Sequence, residues 1–324
     1  MIRVQAGRAE SNYNSAMALA KRSVAGSYPL PSWMHIFRDV SVVLTSRVED
    51  WESLESTLEA LRKTEAPWKE ILVVGRGREV FKLRSFEERF QRVRVLSSGD
   101  ISEIASINQG FVAAKGKWIL FLEANCLPDV PSWEGLCRIL TTEPEDDLIS
   151  FSVLRQAREN LRQLNRASLL DAGAFKQAGF LMNRSSLETI GGFDDELPYI
   201  ASESHWVARV IRAGGSILQC PEACIIQDAV GILESNRSQA FEICCNQLLL
   251  ILRYAPIQNW KDHFRRRIRD ILVYSLLHRT PVYFRAMRHA LKLWAENPEK
   301  IKRLSDVQFR KMTLDWMTPY GFIG

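Results

Sequence analysis

From Val40 to Val153, short apolar runs alternate with amphipathic segments, and this constrains the fold more than any other feature of the chain. Strand-length runs separated by helix-length amphipathic stretches pair in parallel, with the helices laid across the sheet. Val40 to Thr45 reads as the first strand. Asp50 is placed to cap a helix whose apolar positions, Trp51, Leu54, Leu58 and Leu61, recur at helical spacing. Ile71 to Val74 reads as the second strand, broken by Gly75-Arg76-Gly77, and Val93 to Leu96 as the third. Asp100 and Glu103 have capping-box spacing and open a helix with Ile101, Ile104, Asn108 and Phe111 on one side. Trp118 to Leu122 reads as the central strand, Pro131 as the start of a helix with Trp133, Leu136 and Leu140 inward, and Leu148 to Val153 as a further strand. Ala178 to Leu197 reads as strand, short helix and glycine stop at Gly191, and Ser202 to Arg212 as a helix. After Asn236 the strands cease, and four amphipathic helical patterns separated by Pro256, Pro281 and Pro298 finish the chain.

At 324 residues, 46% hydrophobic and 25% charged, the chain has enough apolar side chain to bury a core in one or two domains. No apolar run approaches the roughly 20 residues that cross a bilayer, so no membrane span is expected. The N-terminus has no continuous apolar segment of signal-peptide length, so secretion is not expected either. The six cysteines form no C-x-x-C pair and read as reduced core thiols of a cytoplasmic protein. The net charge of +5 is local: Trp260 to Arg303 holds 12 Lys and Arg against 4 Asp and Glu. That stretch, with Arg265, Arg266, Arg267 and Arg269 crowded together among aromatic residues, suits an anionic partner, either a membrane surface or polyphosphate. No nucleic-acid module is recognisable in it, so no nucleic acid is expected as a partner.

The central strand ends Phe-Leu-Glu123-Ala124-Asn125, with a carboxylate and an amide flanking Ala124 where the strand stops. Ligands of open α/β sheets bind outside such carboxyl ends, and this one is chemically suited to a metal diphosphate. In order along the chain, SVVLTS, EILVVGRG, INQGFVAAKGKWILFLEAN, GFLMNRSSLETIGGFDDEL and SESHWVARVIRAGG resemble the motifs of family 2 glycosyltransferases of the GT-A fold, from about Val40 to Gly215. The resemblance implies an α/β fold: a GT-A type nucleotide-sugar-binding domain with a mostly parallel central sheet, plus a C-terminal helical region. It divides the chain into an N-terminal extension (1–38), a glycosyltransferase domain (39–232) and the helical region (233–324).

The resemblance also implies roles for individual residues. Glu123 stands at the first aspartate of the family's D-x-D and Asn125 at the second, so these two are expected to hold Mg²⁺ or Mn²⁺. Asp228 is a candidate third ligand near the place of a late metal-ligating histidine, with Gln227 as its alternative. Thr45, Gly75, Arg76, Asn108 and Ala124 join Glu123 and Asn125 on the donor side. Gly75 replaces an aspartate that relatives use against the nucleotide ring, and Arg76 is read either as a phosphate contact or as a solvated loop residue. Glu203 falls at the family's catalytic base, with His205 as the alternative. Asp194 and Asp195 lie on the acceptor side, and Arg209 and Arg212 are candidates for reaching the diphosphate.

The activity implied is transfer of a single sugar from a nucleotide-sugar donor to a glycan or lipid-linked acceptor, inverting and non-processive. The cysteine usage and the basic tail, rather than the resemblance, point to a cytoplasmic location with peripheral attachment at the inner face of the membrane. The departures at Gly75, Glu123 and Asn125 leave a second reading, a glycosyltransferase-like scaffold or regulatory partner without turnover.

Overall fold

A computed structural model describes residues 32–47, 51–77, 80–124, 126–128, 136, 140, 148–155, 170–171, 179–227 and 237–316. Its first half holds β1 (Val40–Arg47), α1 (Trp51–Lys63), β2 (Glu70–Arg76), α2 (Ser85–Arg89), β3 (Val93–Ser97), α3 (Glu103–Ala113) and β4 (Trp118–Glu123), as the hydrophobic pattern predicts for all but the short α2. Then come β5 (Cys126–Pro128), β6 (Leu148–Arg155), β7 (Leu170–Asp171), β8 (Gly179–Asn183), α4 (Arg184–Ile190), α5 (Glu203–Arg212) and β9 (Ile217–Gln227). One sheet holds all the strands of the described residues, in the order β3-β2-β1-β4-β8-β6-β9-β5, with β7 paired to β9. The β3-β2-β1-β4 half is parallel, whereas β8 runs antiparallel to both β4 and β6.

Strands with both faces covered carry near-continuous apolar side chains. Ile119 to Leu122 of β4 are accordingly all buried, as are Val42 to Leu44 of β1 and Leu72 to Val74 of β2. Helix α3 approaches this parallel half closely at Gly110. A methyl group there would lie 2.5 Å from Val43 Cγ1 and 3.0 Å from Val74 Cγ2, so the helix sits where only glycine fits. The cap of α3 differs from the expected box. Ser102 is the N-cap and accepts from the Ala105 N–H at 3.1 Å, leaving Asp100 and Ile101 ahead of the helix and Glu103 as its first residue. Asp50 and Pro131 lie outside the described residues, although Leu136 and Leu140 are helical and buried as expected.

Among the described residues four α-helices follow the sheet, as the tail pattern predicts: α6 (Arg237–Tyr254), α7 (Trp260–Leu277), α8 (Val282–Glu296) and α9 (Asp306–Trp316). Helix α6 is the inner one, with Cys244, Cys245 and Leu248 to Ile251 buried in the same apolar cluster as Phe111, Phe180 and Trp206. Its polar side chains are tied to one loop, residues 191–202, which joins α4 to α5. Asn246 Nδ2 donates to the carbonyls of Pro198 and Ile200 at 2.7 and 2.8 Å, and Glu242 accepts from the Ile200 N–H at 3.0 Å. Arg253 pairs with Asp194 at 2.8 Å, while Lys300 reaches both Asp194 and Glu196. The helical tail thus fixes the loop that leads into α5.

Candidate active site

Strands β1, β2 and β4 end together, with Thr45 opposite Glu123 and Arg47 opposite Arg76. Glu123, the last residue of β4, is half-buried, and its Oε1 accepts a hydrogen bond from the Tyr199 hydroxyl at 2.5 Å. Burial, followed by the negative charges of Glu123 and Glu103, pushes the Tyr199 phenol well above its ordinary range, so it stays a donor. Glu203 opens α5. Its Oε2 is enclosed and has no partner among the described residues. Burial raises its carboxyl to about 7; a hydrogen bond from its own backbone N–H opposes that rise and the Glu123 charge adds to it. Beside these groups, Arg76 pairs with Glu103 at 3.0 Å, and the Arg76 Nε is buried without a partner among the described residues.

Arg76 is therefore neither solvated nor in a loop: it ends β2 and is held by a carboxylate at the start of α3. Glu103 was legible only as a helix cap. Tyr199 carried no signal at all, since a lone tyrosine in a loop belongs to no pattern; the tail's hold on its neighbours puts it against Glu123.

Several expected site residues turn out to build the edge rather than line it. At Gly75 a methyl group would lie 2.7 Å from Leu83 Cδ1 and 3.1 Å from Val80 Cγ1, so the space beside this position is taken by those two side chains and Leu83 would have to shift to admit another. Thr45 is buried in β1. The Ala124 carbonyl accepts from Thr57 Oγ1 at 2.5 Å, which anchors the turn after β4 to α1. Asn108 uses both ends of its amide on the Phe193 backbone, at 2.8 Å each, and a methyl group at Gly192 would come within 2.3 Å of its Oδ1. Asn108 therefore clamps the Gly191-Gly192-Phe193 segment. Arg209 serves the same segment, donating to the carbonyls of Ile190 and Gly192, while Arg212 is exposed. Gly191 ends α4 at φ +83°, as a glycine stop should.

His205 is corrected most strongly. It is neither exposed nor at the sheet edge: Nε2 meets the Asn246 carbonyl of α6 at 2.9 Å, and the ring packs edge-on to Tyr254. Burial and then the Arg253 charge lower it to about 3, so it is a neutral core histidine and unsuited to be the base. Asp194 is committed to Arg253 and Lys300, and Asp195 is exposed. Asn125 and Asp228 lie outside the described residues.

Residues 41–195 match the model of glycosyl transferase family 2. These residues belong to that family. No curated protein matches the chain. Among solved structures, the mannosyltransferase PcManGT from Pyrobaculum calidifontis, in complex with GDP-Man and Mn²⁺, is similar at TM-score 0.52 and 14% identity, over 91% of this chain and 84% of that one. GalNAc-T7 with UDP, GalNAc and Mn²⁺ is similar at TM-score 0.54 and 15% identity over 69% of this chain. This chain spans 50% of the length of GalNAc-T7 in that structure. Both likenesses are of fold.

For the family 2 domain, Glu123 gives the edge a carboxylate oxygen donor, and no group of three His, Cys, Asp or Glu that could hold a metal occurs among the described residues. One strand-end carboxylate together with diphosphate oxygens is a set that hard divalent cations accept, because Mg²⁺ keeps waters and substrate phosphates and needs few protein ligands. Glu123 fits such a site.

Proposed function

We propose that this chain is a nucleotide-sugar glycosyltransferase that moves one sugar per encounter, with inversion, to a glycan or lipid-linked acceptor. The observation that carries the reading is Glu203: a carboxyl enclosed at the sheet's carboxyl edge, tuned to about 7 and near enough to Glu123 to feel its charge. A general base works best with a pKa near the working pH, and carboxylates are tuned upward by burial for this task.

In the proposed step the acceptor hydroxyl oxygen forms a bond to the anomeric carbon as the bond from that carbon to the donor phosphate oxygen breaks. The hydroxyl proton passes to Glu203, and the electron pair of the broken bond leaves with the nucleoside diphosphate. Glu123 would hold Mg²⁺ or Mn²⁺, with Asn125 and Asp228 as further candidate ligands; the bound ion supplies positive charge against the leaving diphosphate. Tyr199 orients the Glu123 carboxylate through its hydrogen bond. Enclosure of Oε2 keeps bulk water from competing for the base.

A panel of UDP- and GDP-sugars, each mixed with the full chain and Mn²⁺, tests this by release of nucleoside diphosphate. One donor class is expected to be turned over, and EDTA should stop it. Binding of nucleotide without release from any donor, with or without added glycan or lipid-diphosphate acceptors, supports the second reading, a scaffold that has lost turnover. Gly75 favours that alternative, since it brings no carboxylate to the nucleotide ring and the space beside it is taken by Leu83 and Val80.

A further inference from the structure

Helix α7 presents one stripe of side chains outward. At spacings of three and four residues, Arg265, Arg266 and Arg269 are followed on the same face by Leu272, Val273, Leu276 and Leu277. All seven are exposed, Leu276 at 78% and Leu277 at 69%. The opposite face, with Ile271 buried and Trp260, Phe264 and Ile268 packed on the core, already accounts for the helix's attachment to the protein. The next helix, α8, carries exposed Phe284 and Arg285 in its first turn, and Arg288 is exposed one turn further on. Single exposed leucines are ordinary on protein surfaces, but contiguous ones rimmed by charge mark an interaction site.

We infer that this outward stripe of α7 docks on an anionic lipid bilayer, with the arginines at the headgroups and the leucines in the acyl boundary. A bilayer interface offers phosphate and hydrocarbon within a few ångströms of each other, which is what a helix face divided in this way requires. No described helix is long and apolar enough to cross a membrane, so the contact is interfacial. A second copy of the chain fits poorly. Two-fold pairing of parallel stripes sets arginines against arginines, and antiparallel pairing sets them against leucines. Of the four clustered arginines, Arg267 takes no part, because it is largely buried beside Asp270 at 3.8 Å. Arg265 and Arg269 have exposed pairs with Asp262 at 3.4 Å and Asp270 at 3.6 Å, and exposed pairs of this kind are weak enough for an anionic surface to compete with them.

Sedimentation of the full chain with vesicles of phosphatidylcholine, with and without phosphatidylserine, is the test. It stands apart from the proposed reaction, since nucleotide release can succeed or fail whatever the vesicles do. Binding is expected to require phosphatidylserine and to fade with added salt. The triple variant R265Q/R266Q/R269Q should weaken partitioning on the order of 100-fold, since each basic residue near an anionic surface contributes about fivefold. Leu276→Ser with Leu277→Ser should weaken it by about tenfold or more. Both variants alter only exposed side chains, and an unchanged melting temperature establishes that they are folded. Equal pelleting with neutral and anionic vesicles, no pelleting with either, or indifference to both variants overturns the inference. So does a dimer in light scattering that the leucine variant dissociates.

Discussion

Glu203→Gln is expected to lower turnover by about 100-fold or more while leaving donor binding nearly intact, because positioned proton transfer typically contributes at least that much. The wild-type rate should climb as pH rises through about 7, where the Glu203 carboxyl ionises, and this limb should be absent from the residual activity of the variant. His205 cannot supply the same limb, since it is neutral down to about 3. The variant should also be the more stable protein. A carboxyl whose folded pKa lies above its unfolded value opposes folding once pH exceeds the unfolded value, here 4.5, and the penalty grows until pH passes the folded value of about 7. At pH 8 that penalty is about 3 kcal/mol, so urea denaturation of the metal-free variant should show a gain of up to that size, shrinking toward zero near pH 4.5. A variant with normal turnover would remove Glu203 from the mechanism. Loss of both donor binding and stability would make it a structural residue.

Asp194→Ala is expected to destabilise the fold by about 3–5 kcal/mol, the usual result of removing one partner of a buried ion pair. Its partner Arg253 is 1% exposed and its Nε and Nη2 already lack partners among the described residues, so the guanidinium would be left buried without its carboxylate. Burial by itself would raise the Asp194 pKa; the Lys300 hydrogen bond and the Arg253 charge outweigh it and hold the carboxyl below its ordinary value. The pair's contribution is therefore present above the ordinary carboxylate value of 3.8 and is lost as pH falls below it. Adding Arg253→Met to Asp194→Ala should recover much of the loss, because it removes the stranded charge. The single variant should impair turnover as well, since the loop that Asp194 anchors carries Tyr199 and leads into Glu203. Chemical denaturation of the two variants checks the first expectation, and donor turnover checks the second.

The parallel half of the sheet was legible because covered strands must be apolar throughout, and β1, β2 and β4 stand out as such between amphipathic helices. Strand β9 was not, since Pro221 and Glu222 interrupt its apolar run at the point where its register with β6 shifts. The places of Glu123 at the end of β4 and of Glu203 at the start of α5 could be read from motif order. What motif order does not contain is which way a side chain faces. His205 and Glu203 lie two residues apart on α5, yet one turns to the Asn246 carbonyl and the other to the sheet edge. Asn108 likewise reads as a polar residue near the donor, but its amide matches the N–H and carbonyl of Phe193, 85 residues away. Tyr199 is placed by long-range bonds from α6 to Pro198 and Ile200, which no local pattern encodes.

The central claim is that the carboxyl edge of β4 holds a nucleoside diphosphate through a metal bound by Glu123. Calorimetric titration of UDP and GDP into the wild-type chain and into Glu123→Gln, each with and without Mn²⁺, tests it most directly. The account predicts that at least one nucleotide binds the wild type in a Mn²⁺-dependent manner, and that the variant, folded by its melting curve, loses most of that dependence. Binding of neither nucleotide to the wild type, or binding that ignores both the metal and the substitution, would contradict it.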